Sequence, residues 1–442
     1  MNKYQKSSLF LISLAWLLIF IGRVTPSTLL VNITGDLGIS DIQAGWAFTG
    51  MWTMYGLMQF PGGVLSDVYG RKIIITLSAL FFSFATFLTG FNINAISLVI
   101  TFSLIGMAAG ILPAPSFTMI AELFGPRKGK ALGIHSSIGS LSGFAPLIVP
   151  FLALFLGWRY VFILWGILGV FLTLFIYKYI TETLESPIRE KWKNRFIIGL
   201  KGLAQKEILF MFLVNLVISF AWMGMLNWFP TYLQQVKGFG PELAGLLFAI
   251  MMSGGLLFKP VIGHLSDRIN RLFIMMLLTF LAGVSLYFLT VETSIIGLVI
   301  VSFLLSQTGA FYPVRTSYVM DFWDKETAGS KLGVFRSLIV LLGSPVTGGA
   351  IAQGKELYGF NTIILVVAAG LFITAGVLLI HLLRSDYHPV YRDPSLSILK
   401  KKCIYSIVTT IPFLCAKDFT CSYSSIEQVE FNLEFEVALY AG

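Results

Sequence analysis

Gly63-Val64-Leu65-Ser66-Asp67-Val68-Tyr69-Gly70-Arg71-Lys72 comes back near the middle of the chain as Gly263-His264-Leu265-Ser266-Asp267-Arg268-Ile269-Asn270-Arg271. Gly63, Leu65, Ser66, Asp67 and Arg71 each have an identical counterpart in the second copy. The parallel extends outward. Glu122 corresponds to Asp321, Gly133 to Gly333, and Pro146 and Pro345 fall at matching depths of their segments. Each copy follows the second of six apolar stretches, so the chain reads as two similar halves in the same orientation. Halves so related share a pseudo-two-fold axis along the membrane normal.

The stretches themselves settle the fold class. A bilayer core of about 30 Å takes about 20 apolar residues per helix. Twelve stretches qualify, at roughly 8–32, 43–66, 72–91, 95–121, 131–156 and 158–180, then 207–233, 242–266, 272–291, 294–320, 329–353 and 360–383. The sequence thus predicts an all-α polytopic membrane protein with twelve transmembrane helices in two six-helix bundles. Residues 1–180 form the first bundle, 181–206 a charged cytoplasmic loop, 207–384 the second bundle and 385–442 a cytoplasmic tail. Composition agrees: 56% of residues are hydrophobic and 12% charged, with mean hydropathy +0.82, where soluble domains carry about 25% charge. A soluble enzyme, a nucleic-acid binder and a disordered chain are excluded.

The net charge of +9 has a topological meaning. With the N-terminus cytoplasmic, segments on that side hold 24 of the 31 Lys and Arg residues, and the outer loops hold only Arg159, Lys237 and Lys355. Basic residues concentrate on the cytoplasmic side, so both termini are expected there, in a plasma or inner membrane. Lys3 and Lys6 precede an apolar run too long for a signal h-region of about 7–15 residues, which is read as a retained first helix. Cys403, Cys415 and Cys421 all lie in the tail, leaving the body without a disulfide framework or a cysteine metal site. The tail's apolar run Cys403–Ala416 is too short to span a bilayer.

The first copy of the repeat resembles the signature of the major facilitator superfamily, G-x-L-x-D-x-x-G-R-[RK], with every fixed position present. The second copy departs at Asn270. Gly157-Trp158-Arg159 and Trp228-Phe229-Pro230 are also similar to that family. The resemblance implies a central cavity, alternating access and a gating role for Gly63, Asp67, Gly70, Arg71 and Lys72, with Gly263, Asp267 and Arg271 as the weaker set. Independently, a carboxylate and a guanidinium four residues apart can pair across the turn that Gly70 permits. Gly343-Ser344-Pro345-Val346-Thr347-Gly348-Gly349 resembles in part the antiporter motif G-P-x-x-G-G, with Ser344 in place of the first glycine, and packing of small residues is the favoured account of it.

Charge at membrane depth is costly and points to function. All 22 Asp and Glu residues fall in loops, tails or helix ends, whereas Arg23, Lys259, Arg315 and Arg336 lie within spans. This uncompensated positive charge predicts a small anionic substrate, bound by Arg23 with Arg315 and Arg336. Lys259 can snorkel to the interface; Arg315 and Arg336 can alternatively pair with Asp321 or nearby loop acids. A deep arginine in the first helix resembles the organic-anion branches of the superfamily, the anion–cation symporters and organophosphate antiporters. Many symporters of that branch carry an aspartate just before the arginine, where this chain has Gly22. A coupling ion, H+ or Na+, is expected, with His135 the remaining candidate proton carrier; the bland reading of His135 is a packing residue. Neither metal nor cofactor is expected, and no phosphate-cradling glycine loop supports ATP use. The chain is therefore expected to be a monomeric secondary transporter and not an enzyme. Efflux of drugs or metabolites is the alternative, and a receptor on a transporter scaffold a distant third.

Overall fold

The computed structural model describes residues 3–125, 128–184, 192–324, 328–343 and 346–384. The tail, Ser344 and Pro345 lie outside the described residues, as does the side chain of Asp267. The chain divides into two units, residues 1–389 and 390–442, and everything below concerns the first.

Among the described residues, twelve long helical spans near the expected bounds build it. The first half holds α1 (Lys3–Thr28 continued by Leu30–Leu37), α2 (Asp41–Tyr69), α3 (Arg71–Thr89), α4 (Ala95–Phe124), α5 (Lys128–Leu156) and α6 (Trp158–Tyr179). The second holds α7 (Lys206–Gln235), α8 (Pro241–Ser253 continued by Gly255–Arg268), α9 (Arg271–Val291), α10 (Ile295–Met320), α11 (Ala328–Gly343 and Val346–Tyr358) and α12 (Phe360–Arg384). Among the described residues, all of these but α2 are long and apolar enough to cross a membrane; α2 runs for 29 residues. A linker helix, Trp192–Leu203, joins the halves. Helices suit this setting because the bilayer offers backbone groups no partner, so each must bond within its own segment.

Both copies of the repeat fold alike. Ser66 Oγ donates to the Gly63 carbonyl at 2.8 Å, and Ser266 Oγ to the Gly263 carbonyl at 2.7 Å. Several spans are interrupted at matching depth: α5 tightens to a 3₁₀ turn at Leu141–Phe144 and α10 at Ser306–Ala310. Such mid-helix turns locally free the ladder and let a helix bend.

The first and last described residues, Lys3 and Arg384, share one face of the bundle, here the termini face; the opposite one is the far face. The halves meet along α2–α11 and α5–α8, toward the far face. A Cβ on Gly45 would lie 2.6 Å from the Gly348 carbonyl oxygen, and one on Gly348 would collide with the Gly45 carbonyl. On the other seam, a Cβ on Gly143 would lie 2.9 Å from the Ser253 nitrogen, and one on Gly245 would strike the Pro146 carbonyl. Polar ties flank the α2–α11 crossing. The Gly349 N–H donates to Thr49 Oγ1 at 3.1 Å. Nearer the far surface, Lys355 pairs with Asp41, and Gln235 bonds both, at 3.1 Å to the carboxylate and 3.0 Å from the ammonium. Beside them Lys237 donates to the Thr290 and Glu292 carbonyls; desolvation pulls its ammonium below the ordinary lysine range, against the attraction of Glu292.

A side chain at Gly45 cannot be admitted without parting α2 from α11. Gly45→Leu is expected to lengthen the distance between spin labels on Asn32→Cys and Val236→Cys, at the far ends of α1 and α7, by about 2 Å or more, since helices packed through glycine approach closer than the usual 8–10 Å. An unchanged distance would show that the crossing does not hold the far face shut.

Candidate functional site

Arg23 sits deep in α1, 7% exposed. Its helix is loosened there: Pro26 lacks the N–H that would bond the Gly22 carbonyl, and Thr25 and Thr28 turn their hydroxyls back onto the Ile21 and Val24 carbonyls. The guanidinium lies in an aromatic cage, with its carbon 4.1 Å from the ring centre of Tyr55, 4.6 Å from Trp52 and 5.0 Å from Phe20. Among the described residues it has no hydrogen bond or ion pair, yet none of its nitrogens is sealed from solvent-sized space.

Magnitudes explain how such a charge survives. An arginine at mid-membrane costs about 3 kcal/mol on insertion scales, and a cation over an aromatic face regains about 0.5–2 kcal/mol. Three rings are of the right order to hold the cation without a carboxylate. A ring attracts the cation without using its N–H donors, and a guanidinium fork with donors to spare suits carboxylate or phosphate.

The absence of an acid before Arg23 has a steric reason. A Cβ on Gly22 would lie 2.5 Å from Cζ of Phe82 in α3, so an aspartate there would displace that ring. His135, 0% exposed, is packed between Trp16 and Phe117 at ring separations of 5.4 and 5.2 Å, with Nδ1 3.0 Å from Ser13 Oγ. Its Nε2 has no partner among the described residues.

In the second half Arg315 of α10 is 3% exposed, beside Phe335 at 5.2 Å and Tyr312 at 5.6 Å, and donates to Thr316 Oγ1 at 3.2 Å. Its Nε is buried without a partner. Arg336 of α11 is exposed and lies within electrostatic reach of Arg315. The alternative pairing of Arg315 with Asp321 is not formed: Asp321 binds Arg271 instead, because Arg271 opens α9 beside the end of α10 whereas Arg315 is more than a turn deeper. Lys259 is exposed on α8, its stem near Gly309. Among the described residues no hydrogen bond, ion pair or ring contact joins Arg23 to Arg315 or Arg336.

The repeat loops are a separate cluster on the termini face. Arg71, 2% exposed, bonds Asp67 at 2.5 Å and Glu122 at 3.1 Å. The second half repeats this with Arg271 on Asp321 and on the Ser317 carbonyl, 3.2 Å away. Gly70 has φ +104°, and the Glu182 carboxylate occupies the place of its missing Cβ. That carboxylate caps α3, accepting from the backbone N–H groups of Arg71 at 2.9 Å and Lys72 at 3.0 Å. The Lys72 ammonium lies 5.0 Å from the Tyr177 ring centre.

Duplicated Arg–carboxylate loops, a twelve-helix body in two halves and a deep unpaired arginine agree with the chain's match to the Major Facilitator Superfamily profile, over residues 12–347 and 240–424. The chain belongs to that superfamily. It is 26% identical over 398 residues to a hexuronate transporter of Bacillus subtilis (strain 168), covering 84% of this chain and 93% of the relative. It is 26% identical over 390 residues to the probable galactarate/D-glucarate transporter GarP of Escherichia coli (strain K12), covering 78% and 87%. Among solved structures, a bacterial homolog of the human lysosomal transporter Spinster, inward-facing and occupied, superposes with TM-score 0.73 at 16% identity, covering 88% of this chain and all of that one. This superfamily member is thus a multi-pass membrane protein and not an enzyme.

The sequence singles out Arg23 by its depth but says nothing of Trp52 and Tyr55 beside it; the signal available was the amide of Asn227 at span depth, which accepts from Trp52. Gly70 yields a sharper expectation. Gly70→Ala should destabilise the purified protein by at least about 1–2 kcal/mol, the cost of a Cβ in a left-handed backbone, and thermal unfolding would read it; an unshifted transition would contradict the close approach of Glu182.

Proposed function

We propose that this superfamily member is a secondary transporter that carries a small organic anion across the cell membrane by alternating access. Arg23 is the principal substrate charge, and Arg315 and Arg336 assist from the opposite half. The observation carrying this reading is a guanidinium nine-tenths buried, held by three rings and matched by no acid among the described residues. The relatives named above are described as transporters of hexuronate and of galactarate and glucarate, all acids, which supports the same class. The distribution of basic residues supports cytoplasmic termini, with residues 1–180 and 207–384 rocking about the substrate as a monomer. Coupling runs to H+ or Na+; with Gly22 in the place of an acid, His135 is the candidate proton carrier. Arg71 with Asp67 and Glu122, and Arg271 with Asp321, form the gating clusters of the termini face.

D-glucuronate, D-glucarate and a neutral hexose form a discriminating panel for uptake and binding. Arg23→Lys keeps the charge but loses the fork, and Arg23→Ala loses both. Arg23→Ala should weaken binding of the acids about thirtyfold, equivalent to about 2 kcal/mol for a charge-assisted hydrogen bond, and Arg23→Lys somewhat less. A cationic or neutral cargo whose transport survives Arg23→Ala would defeat the anion reading. Asp67→Asn should slow turnover about tenfold, or about 1.4 kcal/mol of barrier, with little change in binding; normal turnover would remove the gating role.

A further inference from the structure

Trp52 has two roles at once. One face covers the Arg23 guanidinium at 4.6 Å. Its indole N–H, in the ring plane, reaches across the interface and donates to Asn227 Oδ1 of α7 at 2.9 Å. The Asn227 amide in turn donates from Nδ2 to Thr347 Oγ1 of α11 at 3.1 Å, and the Trp228 indole Nε1–H donates to the Thr347 carbonyl at 3.1 Å. Trp52, Asn227, Trp228 and Thr347 are each 0% exposed. The amide orientation follows from chemistry: turned over, its NH2 would oppose the indole N–H, donor against donor.

The bridge runs between halves. Trp52 belongs to α2, whereas Asn227 and Thr347 belong to the second half, and Thr347 adjoins the Gly348 that meets Gly45. Separating α2 from α11 at that crossing must also pull Asn227 off the indole. With the far face closed the bond fixes the ring over Arg23; with it open the ring loses that restraint.

We propose that Asn227 is a positioning residue: it holds Trp52 in the Arg23 cage only while the far face is closed, and so links occupation of the anion site to closure. The coupling rests on the anion reading of Arg23, while the bridge itself does not. Linkage is reciprocal. An anion that binds better to the completed cage favours closure by the same factor by which closure favours the anion.

The test uses the full chain with Cys403, Cys415 and Cys421 replaced by serine and spin labels on Asn32→Cys and Val236→Cys. Distance distributions between them give the ratio of closed to open far face. Trp52→Phe keeps a ring against Arg23 and removes only the donor, and Asn227→Leu keeps approximate volume and removes the amide. Without any anion, each should lower the closed-to-open ratio about tenfold, the scale of one buried hydrogen bond and its stranded partner. Because both remove the same bond, the double variant should be no worse than a single one. Adding D-glucarate should shift the parent toward the closed state and leave the variants little moved. A merely structural role would lower thermal stability and leave the closed-to-open ratio unchanged. Unchanged ratios in both single variants, or a roughly hundredfold fall in the double, would overturn the bridge. A non-additive cycle in a parent that D-glucarate does not move, together with unimpaired D-glucarate binding in Asn227→Leu, would overturn the coupling and leave the anion reading intact. If the parent instead fails to bind any acid of the panel, the anion reading fails and takes the coupling with it.

Discussion

The contact on which this arrangement depends is one without side chains, the crossing of α2 and α11 at Gly45 and Gly348. Lipid gives helices no hydrophobic reason to associate, so close backbone packing and a few polar ties must do it. Here the two glycines bring carbonyl against Cα, and the polar ties gather around them: Thr49 with Gly349, Trp52 with Asn227, Asp41 with Lys355. Each of these needs the separation that only the glycine pair permits. The cage around Arg23 inherits its shape from the same crossing, because one of its walls is the residue that reaches over to the second half.

The protein treats its positive charges in two ways. At the termini face Arg71 pairs with Asp67 and Glu122, and Arg271 pairs with Asp321 and bonds the Ser317 carbonyl. The charge of each is paired, although Arg71 Nε, like Arg315 Nε, is buried without a hydrogen-bond partner among the described residues; exchange of the ionic partners can only accompany motion. Deeper in, Arg23 and Arg315 rest on rings and keep donors unspent. A ring attracts a cation without neutralising it, so the field of the guanidinium persists into whatever space adjoins it. On the proposed reading, the presence or absence of an ion pair separates charge that holds the loops from charge kept for a ligand.

Much of this could be read from the sequence because the membrane reduces folding to length, periodic hydrophobicity and sparse charge. The twelve spans, the repeat, the Asp67–Arg71 pair and the depth of Arg23 all follow from position along one helix. Correspondence of Glu122 with Asp321 was also visible, and each takes the arginine of its own half. What escaped depends on the rotation of one helix against another. Trp52 facing Arg23, Phe82 filling the place of an acid beside Gly22, and Arg271 taking Asp321 ahead of Arg315 are set by which faces meet, and span hydropathy carries no record of that.

Glu182 has a mechanical side. By capping α3 it fastens the chain to the first half, and the fastening is reinforced where Thr183 donates to Glu122 at 2.6 Å and Thr181 meets the Tyr4 hydroxyl. The linker helix, for its part, lies against α11, with Gly202 on the stem of Lys331. Only residues 185–191 remain between the two anchorages, and eight peptide steps of about 3.5 Å can reach no more than about 28 Å. The connection is therefore a strap of fixed reach. It sets an upper limit on how far the two halves can swing apart at this end, and it hauls directly on the loop of Gly70 when that limit is approached.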